Sequence, residues 1–169
     1  ASDSGKWYAE FKHAGTSGSY PNGMVGVYYD PGLFQSGKTN PAQNDDEGWG
    51  YAENGNIYNN GSTSTGTTYT TGDVIGVALD LDGNKVYWYK NNALVNSGGT
   101  TIDADKTYYF FVSDTSGSGS TTYQANFGNG LFGTTAITSA GLNGNGSLFE
   151  YDVPSGYYAL NTKNINTYG

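Results

Sequence analysis

Few side chains in this sequence are equipped for acid–base or metal chemistry, and their spacing decides what each could do. His13 is the only histidine, so imidazole proton transfer would rest on it alone. No Gly-x-Ser-x-Gly run presents a serine nucleophile to it. It shares a strand face with Trp7 and Phe11, where a hydrogen-bonded structural histidine is the expectation. The glutamates are Glu10, Glu47, Glu53 and Glu150. None falls in the Glu-x-Asp-x-x-Glu spacing that would set two carboxylates about 5–10 Å apart across a glycosidic bond. Asp80-x-Asp82-Gly83-Asn84 opens like a calcium loop but lacks its closing Glu, and a turn accounts for these residues without an ion. There Asp82 is expected to serve the turn itself, and Asp80 a backbone or Tyr87 contact. Asp45-Asp46-Glu47 is the better calcium suspect, although a solvated acidic run is the simpler reading. Without cysteine there is neither a disulfide framework nor a thiolate zinc site. The expectation is therefore a non-enzymatic chain, with no catalytic residue, no bound metal and no cofactor.

Recognition is better provided for. Phe, Trp and Tyr make up 26 of the 169 residues, more than a core of this size needs, and Tyr dominates. A tyrosine pairs a large apolar face with a hydroxyl, which suits sugar or protein surfaces at little entropic cost. The expected ligand-binding patch gathers Asp45, Asp46, Trp49, Tyr51, Asn54 and Asn56 beside the long patternless stretch 30–47. Long irregular stretches in compact domains are disproportionately functional. The net charge of −8, with lysine as the sole basic residue type, excludes the cationic footprint of nucleic-acid binding. No apolar run approaches the length of a membrane span, so membrane insertion is not expected. The start at Ala1 without an initiator Met points to a piece of something longer.

The elements that must position these residues are strands. Ile75, Val77, Leu79 and Leu81 alternate with small or polar residues, and Asp82-Gly83-Asn84 supplies a turn. Val86 and Trp88 then return on the face of Leu79 and Leu81. The opposite face sets Gly76 and Ala78 near Tyr87 and Tyr89. Residues 6–14 alternate with Trp7, Ala9, Phe11 and His13 together, and 24–29 form a second strand in which Gly26 marks close backbone approach. Residues 48–58 read as a hairpin around Asn54-Gly55. Residues 107–113 read as a central strand covered on both faces, and 121–127 as a further strand. Six Asn-Gly pairs punctuate the chain as ready turns, and no stretch of ten residues has helical periodicity. The fold class is all-β, a single unit over 1–169 with its core at about 6–132 and an extension over 133–169 packed on it.

The hairpin at 72–92 resembles the central hairpin of SPRY domains. KWYAEF at 6–11, MVGVYYD at 24–30, GWGY at 48–51, YYFFVSD at 108–114 and YQANFG at 123–128 resemble further family elements in the correct order. Asn92 departs from the usual Asn-Gly turn, and Ala9 from the usual bulky aromatic. The resemblance implies a two-sheet antiparallel sandwich of the concanavalin A-like kind, working as a non-catalytic binding module through loops at one rim. VPSGYYALNTKNI at 153–165 resembles a segment that follows SPRY-like modules in large bacteriophage proteins. It implies a virion appendage such as a tail fibre, recognising a host-surface glycan or protein. Two alternatives are a structural module packing against other virion subunits and, more distantly, a glycan hydrolase. A homo-oligomer stays open, since no heptad pattern enforces one.

Overall fold

The computed structural model describes residues 1–18, 23–29, 42–114 and 119–169, and in them the strand alternation becomes two sheets packed face to face. The larger sheet centres on β1 (Lys6–Ser17). On one side β1 pairs with β11 (Ser120–Asn126), and on the other with β6 (Val74–Asp80). Next come β7 (Lys85–Lys90) and, along its outer edge, β8 (Ala93–Leu94) and β9 (Thr100–Thr101). The smaller sheet runs β10 (Tyr109–Asp114), β2 (Gly23–Tyr28), β3 (Gly48–Ala52), β4 (Asn56–Tyr58) and β5 (Ser62–Ser64).

The inward faces are the ones the alternation selects. Trp7, Ala9 and Phe11 from β1, Ile75, Val77 and Leu79 from β6, and Val86 and Trp88 from β7 meet Val25, Val27, Trp49 and Tyr51 in one buried layer. Leu79 pairs with Val86 and Val77 with Trp88, as the hairpin reading requires. The turn itself is longer than a two-residue connection. It spans 81–84, with positive φ at Asn84 rather than Gly83, and the Asp80 carboxylate accepts the Gly83 N–H at 2.7 Å. Asp82 does not serve this turn: its carboxylate accepts the Gly5 N–H at 3.0 Å and ties down the start of β1. Asn91 and Asn92 both adopt positive φ and close β7 onto β8, so Asn-Asn does the work of the expected Asn-Gly. Gly26 lies so close to β3 that a Cβ there would collide with the Trp49 carbonyl.

Three stretches depart from the sequence reading. Residues 107–113 were expected to be central, but β10 is the edge of the smaller sheet. Phe110 packs inward and Phe111 outward, which produces the apolar run, while Tyr109 and Val112 stay 38% and 44% exposed. Residues 62–64 form the opposite edge, and being wholly polar they carry no alternation to detect. The tail begins with a small hairpin, β12 (Leu131–Phe132) and β13 (Thr135–Ala136), and holds β14 (Tyr158–Ala159), parallel to β1, and the short helix α1 (Thr162–Tyr168), capped by the Asn161 side chain. Seven residues are too few for helical periodicity to show.

The 133–169 extension covers the outer face of the larger sheet. Phe149, Val153, Tyr157 and Ala159 bury Tyr8 and Ala78. On that same face Glu10 is fully buried, accepting the N–H groups of Glu150 at 2.7 Å and Tyr151 at 2.9 Å and the Asn126 amide at 3.3 Å. Burial nevertheless pushes the Glu10 carboxyl up from its ordinary 4.5 to about 7. The folded chain thus holds a proton that the unfolded chain has already released between those values. This contribution to stability is fully present below pH 4.5 and is lost as pH rises toward about 7. Thermal unfolding of the native chain and Glu10→Gln across that window is the check. The difference between the two should change by up to about 1.4 kcal/mol per pH unit, the native chain losing stability on the alkaline side.

Candidate functional site

The residues expected to bind a ligand do not form one patch. Trp49 and Tyr51 point into the sandwich at 5% and 0% exposure, because alternation along β3 puts both on the inner face. Tyr51 is core, its hydroxyl donating to the Thr67 carbonyl. Asn54 and Asn56 lie elsewhere, both donating to the Tyr58 hydroxyl, at 2.9 and 3.3 Å. Tyr58 packs with Met24 and Tyr28 on the outer face of the smaller sheet. Asp45 is buried as an internal clamp: its carboxylate accepts the Ala42 N–H at 3.2 Å and its carbonyl the Asn60 N–H at 2.7 Å. Only Asp46 and Asn54 of the set are exposed. Residues 30–41 of the expected 30–47 contact stretch lie outside the described residues. Among the described residues no three His, Cys, Asp or Glu side chains gather to hold a metal.

What the fold does build is a cleft of about 600 Å³ at one flank of the sandwich, with Trp49 and Ile57 lining its base. One wall is β5 with Thr65, and the other is the 95–101 segment joining β8 to β9. Asn96 shapes that second wall by standing in for a strand residue on the edge of β7. Its side-chain oxygen accepts the Trp88 N–H at 2.8 Å, and its amide donates to the Val86 carbonyl at 3.1 Å. The walls carry serine and threonine hydroxyls, and among the described residues no charged one lines the space. A neutral, hydroxyl-rich cleft over an indole suits an uncharged polar partner. Of the residues expected to bind, Trp49 lines this cleft and the other five do not. Its walls escaped the sequence reading because a polar edge strand and an irregular connection leave no periodic signal.

A second polar group sits inside the sandwich. His13 is 1% exposed, and its Nε2 lies 2.9 Å from both Glu53 Oε1 and Thr16 Oγ1. Glu53, also buried, accepts from the Gly23 N–H and the Thr121 hydroxyl at 3.1 Å each. The pair joins β1 of the larger sheet to the turn after β3 in the smaller one. A hydrolytic triad needs its carboxylate and its nucleophile on opposite imidazole nitrogens. Here both partners are on Nε2, while Nδ1 is buried without a partner among the described residues. The arrangement braces the sheets and is not arranged for proton relay. Glu53 was missed although a signal existed: it shares strand parity with the inward Trp49 and Tyr51, as His13 does with Trp7 and Phe11.

Comparison with known proteins agrees with the architecture. The family model of the SPRY domain matches residues 6–130. The crystal structure of the SPRY domain of human HERC1 aligns with a TM-score of 0.59, over 73% of this chain and 76% of that chain, at 22% identity. That likeness is one of fold. No curated protein matches the sequence.

Removing the Glu53 carboxylate would leave His13 and the Gly23 N–H without their shared acceptor. Glu53→Ala is expected to cost about 2–4 kcal/mol in urea-unfolding free energy. A loss below about 0.5 kcal/mol would show that this pair does not brace the sheets.

Proposed function

The chain belongs to the SPRY domain family, and from that premise we propose that it is a non-catalytic recognition module of a bacteriophage virion appendage. It meets a host-surface protein or glycan in the cleft over Trp49. SPRY domains are generally protein-interaction modules, which supports a protein partner. The observation that carries the reading is the cleft itself, a sizeable concavity with an aromatic base, hydroxyl-bearing walls and no charged lining among the described residues. The virion setting, such as a tail fibre, is supported by the resemblance of residues 153–165 to a segment of large phage proteins. In this fold that segment is part of the packing, since Val153, Tyr157 and Ala159 are buried against Tyr8. The geometry of His13 lends no support to a glycan hydrolase.

One observation favours the structural alternative, contact with other virion subunits or with a second copy. Phe127, Leu131 and Leu148 are 40%, 37% and 48% exposed, and the Asn129–Leu148 bridge draws their segments to one flank. Exposed apolar groups in company mark contact surfaces.

Ser97 is exposed on the cleft wall, so Ser97→Trp fills the space without disturbing the core. Binding of the labelled chain to a panel of bacterial cells and a glycan array should fall at least about tenfold, with the melting temperature unchanged. Undiminished binding by this variant would move the contact to another surface. Loss of self-association or assembly in Leu131→Glu alone would favour the structural role.

A further inference from the structure

We propose that the cleft takes an extended, uncharged segment of a protein partner, which adds as a strand to the free edge of β5. The proposal rests on the cleft being the recognition site and specifies how it is used.

The ladder between β4 and β5 shows which backbone groups are free. The Thr65 N–H bonds to the Gly55 carbonyl, and the Asn59 N–H to the Gly61 carbonyl. Ile57 lies opposite Thr63 between these two pairs. In an antiparallel ladder, bonded and non-bonded pairs alternate. Gly55–Thr65, Ile57–Thr63 and Asn59–Gly61 are thus the bonded pairs, whereas Ser62 and Ser64 aim their N–H and C=O groups away from β4. Among the described residues neither serine has a backbone partner on that side. Both residues also line the cleft, so the unused hydrogen-bonding edge borders the concavity.

Register then dictates the rest. A strand added antiparallel to β5 would pair two of its residues with Ser62 and Ser64 through main-chain bonds. The residue between them would face Thr63. Because Ile57 is directed into the sandwich and Thr63 is its cross-strand neighbour, that middle side chain would stand beside Thr63 on the same inner face, toward the cleft that Ile57 and Trp49 line. An apolar or aromatic middle residue between small polar ones is the composition that fits. Among the described residues the cleft offers no counter-ion to a charged side chain, and the net charge of −8 disfavours acidic segments. A second copy of β5 is a poor occupant, because Ser-Thr-Ser has no large apolar side chain to place over Trp49. A glycan could use the hydroxyls but not a row of main-chain donors and acceptors in strand register.

The test pans a random peptide library displayed on phage against the full chain, then measures the selected peptides by calorimetry against three proteins: native, Ser97→Trp and Ser64→Pro. Proline at 64 removes an N–H that β4 does not use, and edge strands tolerate it. Expected are peptides with an apolar residue between uncharged ones, whose affinity falls about fivefold or more in Ser64→Pro and is lost in Ser97→Trp. A folding defect in Ser64→Pro is bypassed by N-methylating the peptide backbone one position at a time against the native chain. Strand addition gives an alternating pattern of lost and retained binding. Uniform tolerance of N-methylation with loss in Ser97→Trp overturns strand addition and leaves the cleft as the site. Peptides indifferent to Ser97→Trp overturn both readings. A chain that selects no peptide but binds a glycan array overturns the peptide segment alone.

Discussion

Trp88 spans the space between the two sheets, and its indole N–H donates to the Val25 carbonyl at 3.1 Å. This buried bond sets how far apart the sheets stand, and the inner layer around it is filled to match. Trp7, Val77 and Val86 surround it from the larger sheet, and Val25, Val27 and Tyr51 from the smaller. A buried polar hydrogen lacking an acceptor would cost more than the bond contributes, so the indole fixes registry as well as distance. The cleft follows from the same spacing. Trp49 and Ile57 lie toward the β5 flank of that layer, where the sheets part and short edge strands leave the space unfilled.

Much of the scaffold was legible because burial on one face writes a period of two into a strand. Trp7, Ala9, Phe11 and His13, and likewise Ile75, Val77, Leu79, Val86 and Trp88, could be assigned to one face without coordinates. The strand at 107–113 misled for a definite reason. An edge strand with Phe110 on one face and Phe111 on the other reads like a strand buried on both faces, and composition does not register which neighbours are missing. The candidate site was legible only in part. Trp49 was singled out beside the 30–47 stretch, whereas the residues that share its cleft are 62–65 and 95–101, held there by ladder pairing and by the Asn96 side chain. Neither device has a periodic signature. The polar residues that did stand out, Asp45, Asn54 and Asn56, proved to be bound up in local turns.

The outer faces of the sheets are treated unequally. The larger sheet is covered by chain that follows the sandwich, and the covering is anchored by a carboxylate rather than by apolar contact alone. Glu10 collects main-chain donors from Glu150 and Tyr151, so the backbone there is held in one place. Tyr8 stands edge-on to Phe149 at 5.0 Å beside it, and the two contacts define how the extension lies. The smaller sheet keeps its outer cluster around Met24, Tyr28 and Phe111, with Ala42 packed on it.

The position of β1 also determines when the protein can fold. It comes first in sequence among the described strands yet lies inside its sheet, facing Asn126 at Glu10 and Tyr158 at Trp7. During synthesis β1 can pair with β6 once Val74–Asp80 have emerged and with β11 once Ser120–Asn126 have, but the end of that second edge at Trp7 and Tyr8 waits for Tyr158–Ala159. Pairings this distant in sequence make for slow folding, because the entropy of closing so long a loop is lost before the contacts compensate. Until then the nascent chain carries an open strand edge and the uncovered Tyr8 face. A chain cut short before Tyr158 would be a sandwich with one side unfinished.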